Sequence, residues 1–98
     1  MDLRQWKDDR NGCERLRSAM KETLNRQKEK LLALDELQIV ELLGKPDRHE
    51  LYKRNQKFYY YFIEPSPDCA QQDTTSSKKL TIRFNAMGLA KVVVIDGF

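Results

Sequence analysis

Cysteine is scarce in this chain. Cys13 and Cys69 are the two, far apart in sequence, and their separation fits neither a zinc site nor a redox Cys-x-x-Cys pair. His49 is the single histidine, so no metal-spaced His/Cys/Asp cluster can be assembled locally. Without a partner base, neither thiol reads as an activated nucleophile. There are four glycines, and they form no Gly-x-Ser-x-Gly elbow and no Gly-rich phosphate loop. Gly44 stands beside Lys45 and reads as a helix stop. Acidic residues are scattered singly. These absences set the expectation of a protein that is not an enzyme, with no catalytic residues, no metal and no cofactor. No apolar run approaches the ~18 residues of a membrane-crossing helix. The N-terminus, Met1-Asp-Leu-Arg-Gln-Trp, has no apolar signal region. That fits a cytosolic protein, or one whose targeting segment is not in this chain.

What is present is charge, and it is uneven. The chain carries 18 Lys and Arg against 15 Asp and Glu, a net charge of +3 in 98 residues. Residues 1–34 hold nine basic and six acidic side chains, while residues 35–63 and 64–98 each balance. A basic excess on one helix reads as a solvated face; a strip for nucleic acid or anionic lipid is the competing reading. Ninety-eight residues make one domain with a modest core. Residues 1–13 read as a polar arm, ordered only if Trp6 docks on the core, and residues 14–98 as the domain. In an oxidising compartment Cys13 and Cys69 could form one disulfide, contributing ~3–4 kcal/mol if unstrained. Cys13 follows Gly12 as a lipidated cysteine does, but no apolar stretch precedes it, which excludes it as a lipid site.

The spacing predicts a first helix over Glu14–Leu32, with Leu16, Met20, Leu24 and Leu31 as a narrow stripe. A second helix is predicted over Glu36–Leu43. Asp35 and Gln38 form a capping box, Leu34 and Ile39 a staple, Gly44 a positive-φ stop, and Pro46 a block to continuation. This helix is apolar around most of its circumference and should be the more buried. The pattern then changes period. Strands are predicted over His49–Arg54, Lys57–Ile63, Leu80–Phe84 and Leu89–Ile95. Residues 66–79 read as an exposed loop and Asn85–Gly88 as a hairpin turn. The fold class is therefore α+β: two N-terminal helices packed on a three- or four-stranded antiparallel meander, a two-layer sandwich.

The aromatic strand is the most unusual stretch. Phe58, Tyr60 and Phe62 point one way, Tyr59, Tyr61 and Ile63 the other. With the first set in the core, the second lies on the open sheet face. The last strand offers Leu89, Lys91, Val93 and Ile95 on one side and Ala90, Val92, Val94 and Asp96 on the other. Either choice leaves valines outside. An exposed tyrosine and valine patch marks a partner surface, which makes Tyr59, Tyr61, Ile63, Val92 and Val94 the candidate contacts. The alternative is that the arm, with Trp6 and Leu3, covers this face. Lys53, Arg54 and Lys57 beside the tyrosines raise base stacking; the balanced charge over 35–63 and the missing ribonucleoprotein motif argue against nucleic acid.

Three segments in order carry a family resemblance. They are Leu-Gln-Ile-Val-Glu-Leu-Leu-Gly-Lys-Pro-Asp, the aromatic Phe-Tyr-Tyr-Tyr-Phe, and Leu-Thr-Ile-Arg-Phe-Asn-Ala-Met-Gly-Leu-Ala-Lys-Val. Over about residues 34–95 the chain resembles the SmpA/OmlA, or BamE-like, domain. The resemblance implies two helices on a three-stranded antiparallel sheet. It also implies a small lipoprotein on the periplasmic face of the outer membrane, supporting barrel-protein assembly or envelope integrity without catalysis. The implied partner is another protein, an envelope component. Membrane attachment in that family runs through a lipid-bearing cysteine that this chain does not contain. The fold is similar, too, to the beta-lactamase inhibitory proteins. The competing functions are a secreted inhibitor or sensor domain that binds a specific protein or ligand, and a cytosolic single-strand nucleic-acid-binding module.

Overall fold

The computed structural model describes residues 3–10, 16–52, 56–64 and 78–97. Four helices precede four strands: α1 (Leu3–Asp8), α2 (Leu16–Ala19), α3 (Lys21–Gln27), α4 (Glu36–Leu43), β1 (Arg48–Tyr52), β2 (Gln56–Phe62), β3 (Lys78–Phe84) and β4 (Ala90–Gly97), with a 3-10 turn at Lys28–Leu31 between α3 and α4. The strands form one antiparallel sheet in the order β1-β2-β3-β4. The fold is α+β.

Local chemistry delimits α4. The Asp35 carboxylate accepts from the Gln38 N–H at 2.8 Å, and the Gln38 side chain accepts from the Asp35 N–H at 3.0 Å, so two otherwise unpaired donors are satisfied. Gly44 closes the helix with φ +80°, its N–H donating to the Val40 carbonyl. A Cβ at Gly44 would stand 3.2 Å from Lys7 Cγ. The helix is less buried than its composition predicts. Ile39 and Leu43 are enclosed, but Leu37 is 74% exposed, because a single sheet face can cover only one stripe of a helix.

The first long helix is not continuous. It breaks at Met20 (φ −94°, ψ 1°) between α2 and α3 and tightens into the 3-10 turn after Gln27. Lys, Arg, Glu and Gln are all good helix formers, so nothing local announces the break. Packing does explain what it achieves. Arg17 is drawn fully into the interior while Leu16 stays 37% exposed, and Met20, Leu24 and Leu31 are buried. The 3-10 turn leads to Ala33, which at φ 67° occupies a region that favours glycine. Its N–H donates to the Ala90 carbonyl, and the Ala90 N–H donates to the Leu34 carbonyl, each at 2.8 Å. The start of β4 is thus covered on its outer edge.

One sheet face carries the core. Tyr61, Ile63, Leu80, Ile82, Phe84, Ala90 and Val93 pack against Trp6, Met20, Leu24, Leu31, Ile39 and Leu43. The β3–β4 hairpin is set by Asn85, whose side chain accepts from the N–H groups of Met87 and Leu89 at 3.0 Å each, and by Gly88 at φ 80°. A register shift at Arg83/Phe84 places Phe84 opposite Ala90 and Arg83 opposite Val92. This bulge resets the alternation, so Ala90 joins the core instead of sharing a face with Val92.

Candidate functional site: the outer face of the sheet

The assignment of the two aromatic rows is the reverse of the expectation. Tyr61 and Ile63 are fully buried and Tyr59 packs against the core, so none of the three offers an open-face contact. The register explains their side: Tyr59 lies opposite Ile82 and Tyr61 opposite Leu80, both core residues. Each tyrosine hydroxyl has a partner from the helical layer. Tyr61 donates to the Gly44 carbonyl at 2.8 Å, and Tyr59 donates to Glu36 Oε1 at 3.2 Å. A phenol can enter a core where its hydroxyl is satisfied; phenylalanine needs no such partner. Burial, then the adjoining Glu36 carboxylate, raises the Tyr59 pKa above the ordinary tyrosine value. Burial raises that of Tyr61 further, with Tyr59 and Asp47 adding and Arg17 and Arg10 opposing. Trp6 meets Tyr61 at 6.2 Å between ring centroids. The N-terminal stretch therefore docks Trp6 on the helical side, beside Tyr61, and not over the outer face.

The outer face carries Phe58, Tyr60 and Phe62 instead, together with Val92 and Val94 as expected. Its rows follow from the pairing. Glu50, Phe58, Arg83 and Val92 lie across one line of the sheet, and Arg48, Tyr60, Thr81 and Val94 across the next. The Phe58 and Tyr60 rings are parallel within 4°, with centroids 6.2 Å apart. Both are half-buried, as is Val92; Val94 is 37% exposed. Diagonal neighbours supply cations: Lys79 Nζ lies 5.1 Å from the Tyr60 centroid and the Arg48 guanidinium 5.5 Å from that of Phe62. Phe62 and Thr81 are themselves buried. On this face Arg83 and the buried Thr81 of β3 lie between the two rings of β2 and the two valines of β4, with Arg48, Lys79 and Glu50 as further charged neighbours.

A buried polar cluster holds this sheet to the helices, and the sequence did not disclose it. Arg17 Nε donates to the Trp6 carbonyl at 2.8 Å, and Nη1 donates to Asp47 Oδ2 at 2.5 Å and to the Phe62 carbonyl at 3.1 Å. Asp47 also accepts from the Phe62 N–H at 2.8 Å, and buried Asp9 accepts from the Arg17 N–H at 3.0 Å. The guanidinium sits 4.7 Å from the Trp6 ring centroid. One signal was available: Arg17 stands at i−3 and i−7 from Met20 and Leu24, the apolar stripe of its helix.

Cys13, Cys69 and most of the loop over 66–79 lie outside the described residues. Among the described residues, no three His, Cys, Asp or Glu side chains are grouped to hold a metal, and no helix is long and apolar enough to cross a membrane. No family model, curated protein or solved structure matches this chain.

Proposed function

We propose that this protein is a non-catalytic binding domain of the cell envelope that engages another protein through the outer face of its sheet. The observation that carries the reading is the half-buried Phe58–Tyr60 pair, parallel on that face with cations near it, with Val92 and Val94 two strands away across Arg83 and Thr81. Aromatic rings and arginines are enriched at protein interfaces. The positive border favours a partner surface whose centre is apolar and whose margin holds carboxylates. The resemblance to the SmpA/OmlA domain supports an envelope partner and a position on the periplasmic face of the outer membrane, where barrel assembly or envelope integrity would be the process served.

The test is the double variant Phe58→Ala, Tyr60→Ala, checked for native circular dichroism. Complexes would then be compared with the wild type after purification from the native cells. The reading expects the variant to fold and to lose the envelope protein recovered with the wild type. Undiminished recovery would sink it.

A second reading draws on the same rings. Two parallel aromatic rings with a lysine near one of them also suit unpaired bases. That reading requires oligonucleotide binding that weakens steeply with salt, and no binding at low salt removes it.

A further inference from the structure

A groove of about 590 Å³ lies on the opposite side of the sheet, between α4 and β1. Arg10, Lys45 and Lys57 line it, and among the described residues no carboxylate does. Two carboxylates of the described residues, Asp47 and Glu36, pair with its cations. Asp47 faces Arg10 at 3.6 Å with its side chain fully buried, whereas the Arg10 side chain is 55% exposed. Glu36 is shared between Lys57 Nζ, at 3.1 Å, and the Tyr59 hydroxyl, at 3.2 Å. Arg10 and Lys57 are thus each matched by one carboxylate, and Lys45, which also lines the groove, leaves it with a net positive charge.

The groove runs along an open strand edge. Among the described residues β2 is the one strand that pairs with β1, so no strand is hydrogen-bonded to its other edge. The far edge of the sheet is different, since Ala33 and Leu34 hydrogen-bond to Ala90 there. Beside the groove, β1 carries Leu51, which is 74% exposed. A large apolar side chain on an unpaired edge is a feature that edge strands ordinarily avoid.

We propose that the groove and the β1 edge together take an extended acidic peptide segment of a partner protein, added as a fifth strand beside β1. An extended segment turns every second side chain to the same face. Carboxylates at alternate positions then reach Lys45, Lys57 and Arg10, while the peptide main chain pairs with β1. An apolar residue among them covers Leu51. A nucleic-acid strand would satisfy the cations but could not supply the alternating N–H and C=O groups that the edge pairs with. This site is separate from the outer face and does not depend on the reading given for it.

The test uses the full chain and a fluorescein-labelled octapeptide of alternating Glu and Val, followed by anisotropy at low salt. The comparators are an alternating Lys and Val octapeptide and a labelled octathymidylate. Saturable binding of the acidic peptide alone is expected. It should weaken at least roughly tenfold in Lys45→Glu, or in Lys45→Glu with Lys57→Glu, as expected for lost electrostatic complementarity. It should persist in Phe58→Ala with Tyr60→Ala. Amide hydrogen exchange over residues 48–52 should slow when the peptide is bound. Four results would each overturn the proposal: no binding, binding that leaves exchange over 48–52 unchanged, tighter binding of octathymidylate, or loss of peptide binding in the outer-face variant.

Discussion

The Arg17 guanidinium and the Asp47 carboxylate meet at 2.5 Å inside the protein, 30 residues apart, with side-chain exposures of 1% and 0%. The pair joins α2 to the segment that enters the sheet. The same carboxylate binds the Phe62 N–H and the same guanidinium the Phe62 carbonyl, so the end of β2 is fixed by both charges. Removing Asp47 leaves the buried Arg17 guanidinium without its paired carboxylate, and removing Arg17 leaves Asp47 the longer contact to the exposed Arg10, at 3.6 Å. Arg17→Ala and Asp47→Ala should each cost about 3–5 kcal/mol. Their combination should cost less than the two together, because the second loss removes the stranded charge. Urea titrations of the three variants measure this; strict additivity would contradict a coupled pair.

The tyrosine row on the helical side is structural. Tyr61→Ala should destabilise the fold by about 3–5 kcal/mol, within the range for a large side chain removed from a core. Phe58→Ala, on the half-buried outer row, should cost clearly less. Equal midpoint shifts in urea for the two variants would argue against the assignment of the faces.

Tyr61 also gives the protein an alkaline limit. Its pKa is raised in the folded chain, chiefly by burial, whereas in the unfolded chain it titrates near the ordinary value of about 10. Below that pH both states hold the proton and stability is unaffected. Above it the unfolded chain gives up a proton that the folded chain keeps, so stability falls as pH rises toward the folded value. Tyr61→Phe should flatten this fall while costing about 1 kcal/mol at neutral pH for the lost hydrogen bond to Gly44. Denaturation midpoints taken between neutral pH and the alkaline limit would show both effects, and an unchanged alkaline slope would contradict the first.

Two positive-φ positions should respond in opposite directions. Gly44→Ala places a Cβ at φ +80° and 3.2 Å from Lys7 Cγ, and should cost about 1–2 kcal/mol. Ala33→Gly relieves a residue held at φ 67°, offset by the about 0.5–1 kcal/mol that glycine adds in chain entropy. It should therefore be neutral or slightly stabilising. Thermal unfolding of both variants tests the contrast.

The parts of the fold that were legible in the sequence are those decided within a few residues. The capping box at Asp35 and Gln38 depends only on their spacing, and the Asn85–Gly88 turn on a side chain that reaches its own neighbours. β3 announced its inward face because Leu80, Ile82 and Phe84 alternate with Thr81 and Arg83. β2 could not, since both of its rows are aromatic. The choice depended on where the hydroxyls of Tyr59 and Tyr61 find acceptors, at Glu36 and Gly44, 23 and 17 residues away. The bulge opposite Arg83/Phe84, which moves Ala90 inward, leaves no mark in the alternation. Arg17 was hidden for a similar reason. A basic residue in a charged helix reads as solvated until distant carbonyls and a carboxylate are seen around it.

For the outer face of the sheet, the valines lie where the sequence predicts them, but the β2 rings on that face are the other row. Val92 and Val94 lie on the outer face, and the β2 rings on that face are Phe58 and Tyr60 rather than Tyr59 and Tyr61.

The measurement that tests the central claim most directly is site-specific photo-crosslinking in the native cells. A benzophenone side chain would be placed at Arg83 or Val94 on the outer face, and at the exposed Leu37 on the helical side. One discrete protein adduct is expected from Arg83 and Val94, recovered with the envelope, and none from Leu37. Adducts from Leu37 alone, or none from the outer face, would contradict it.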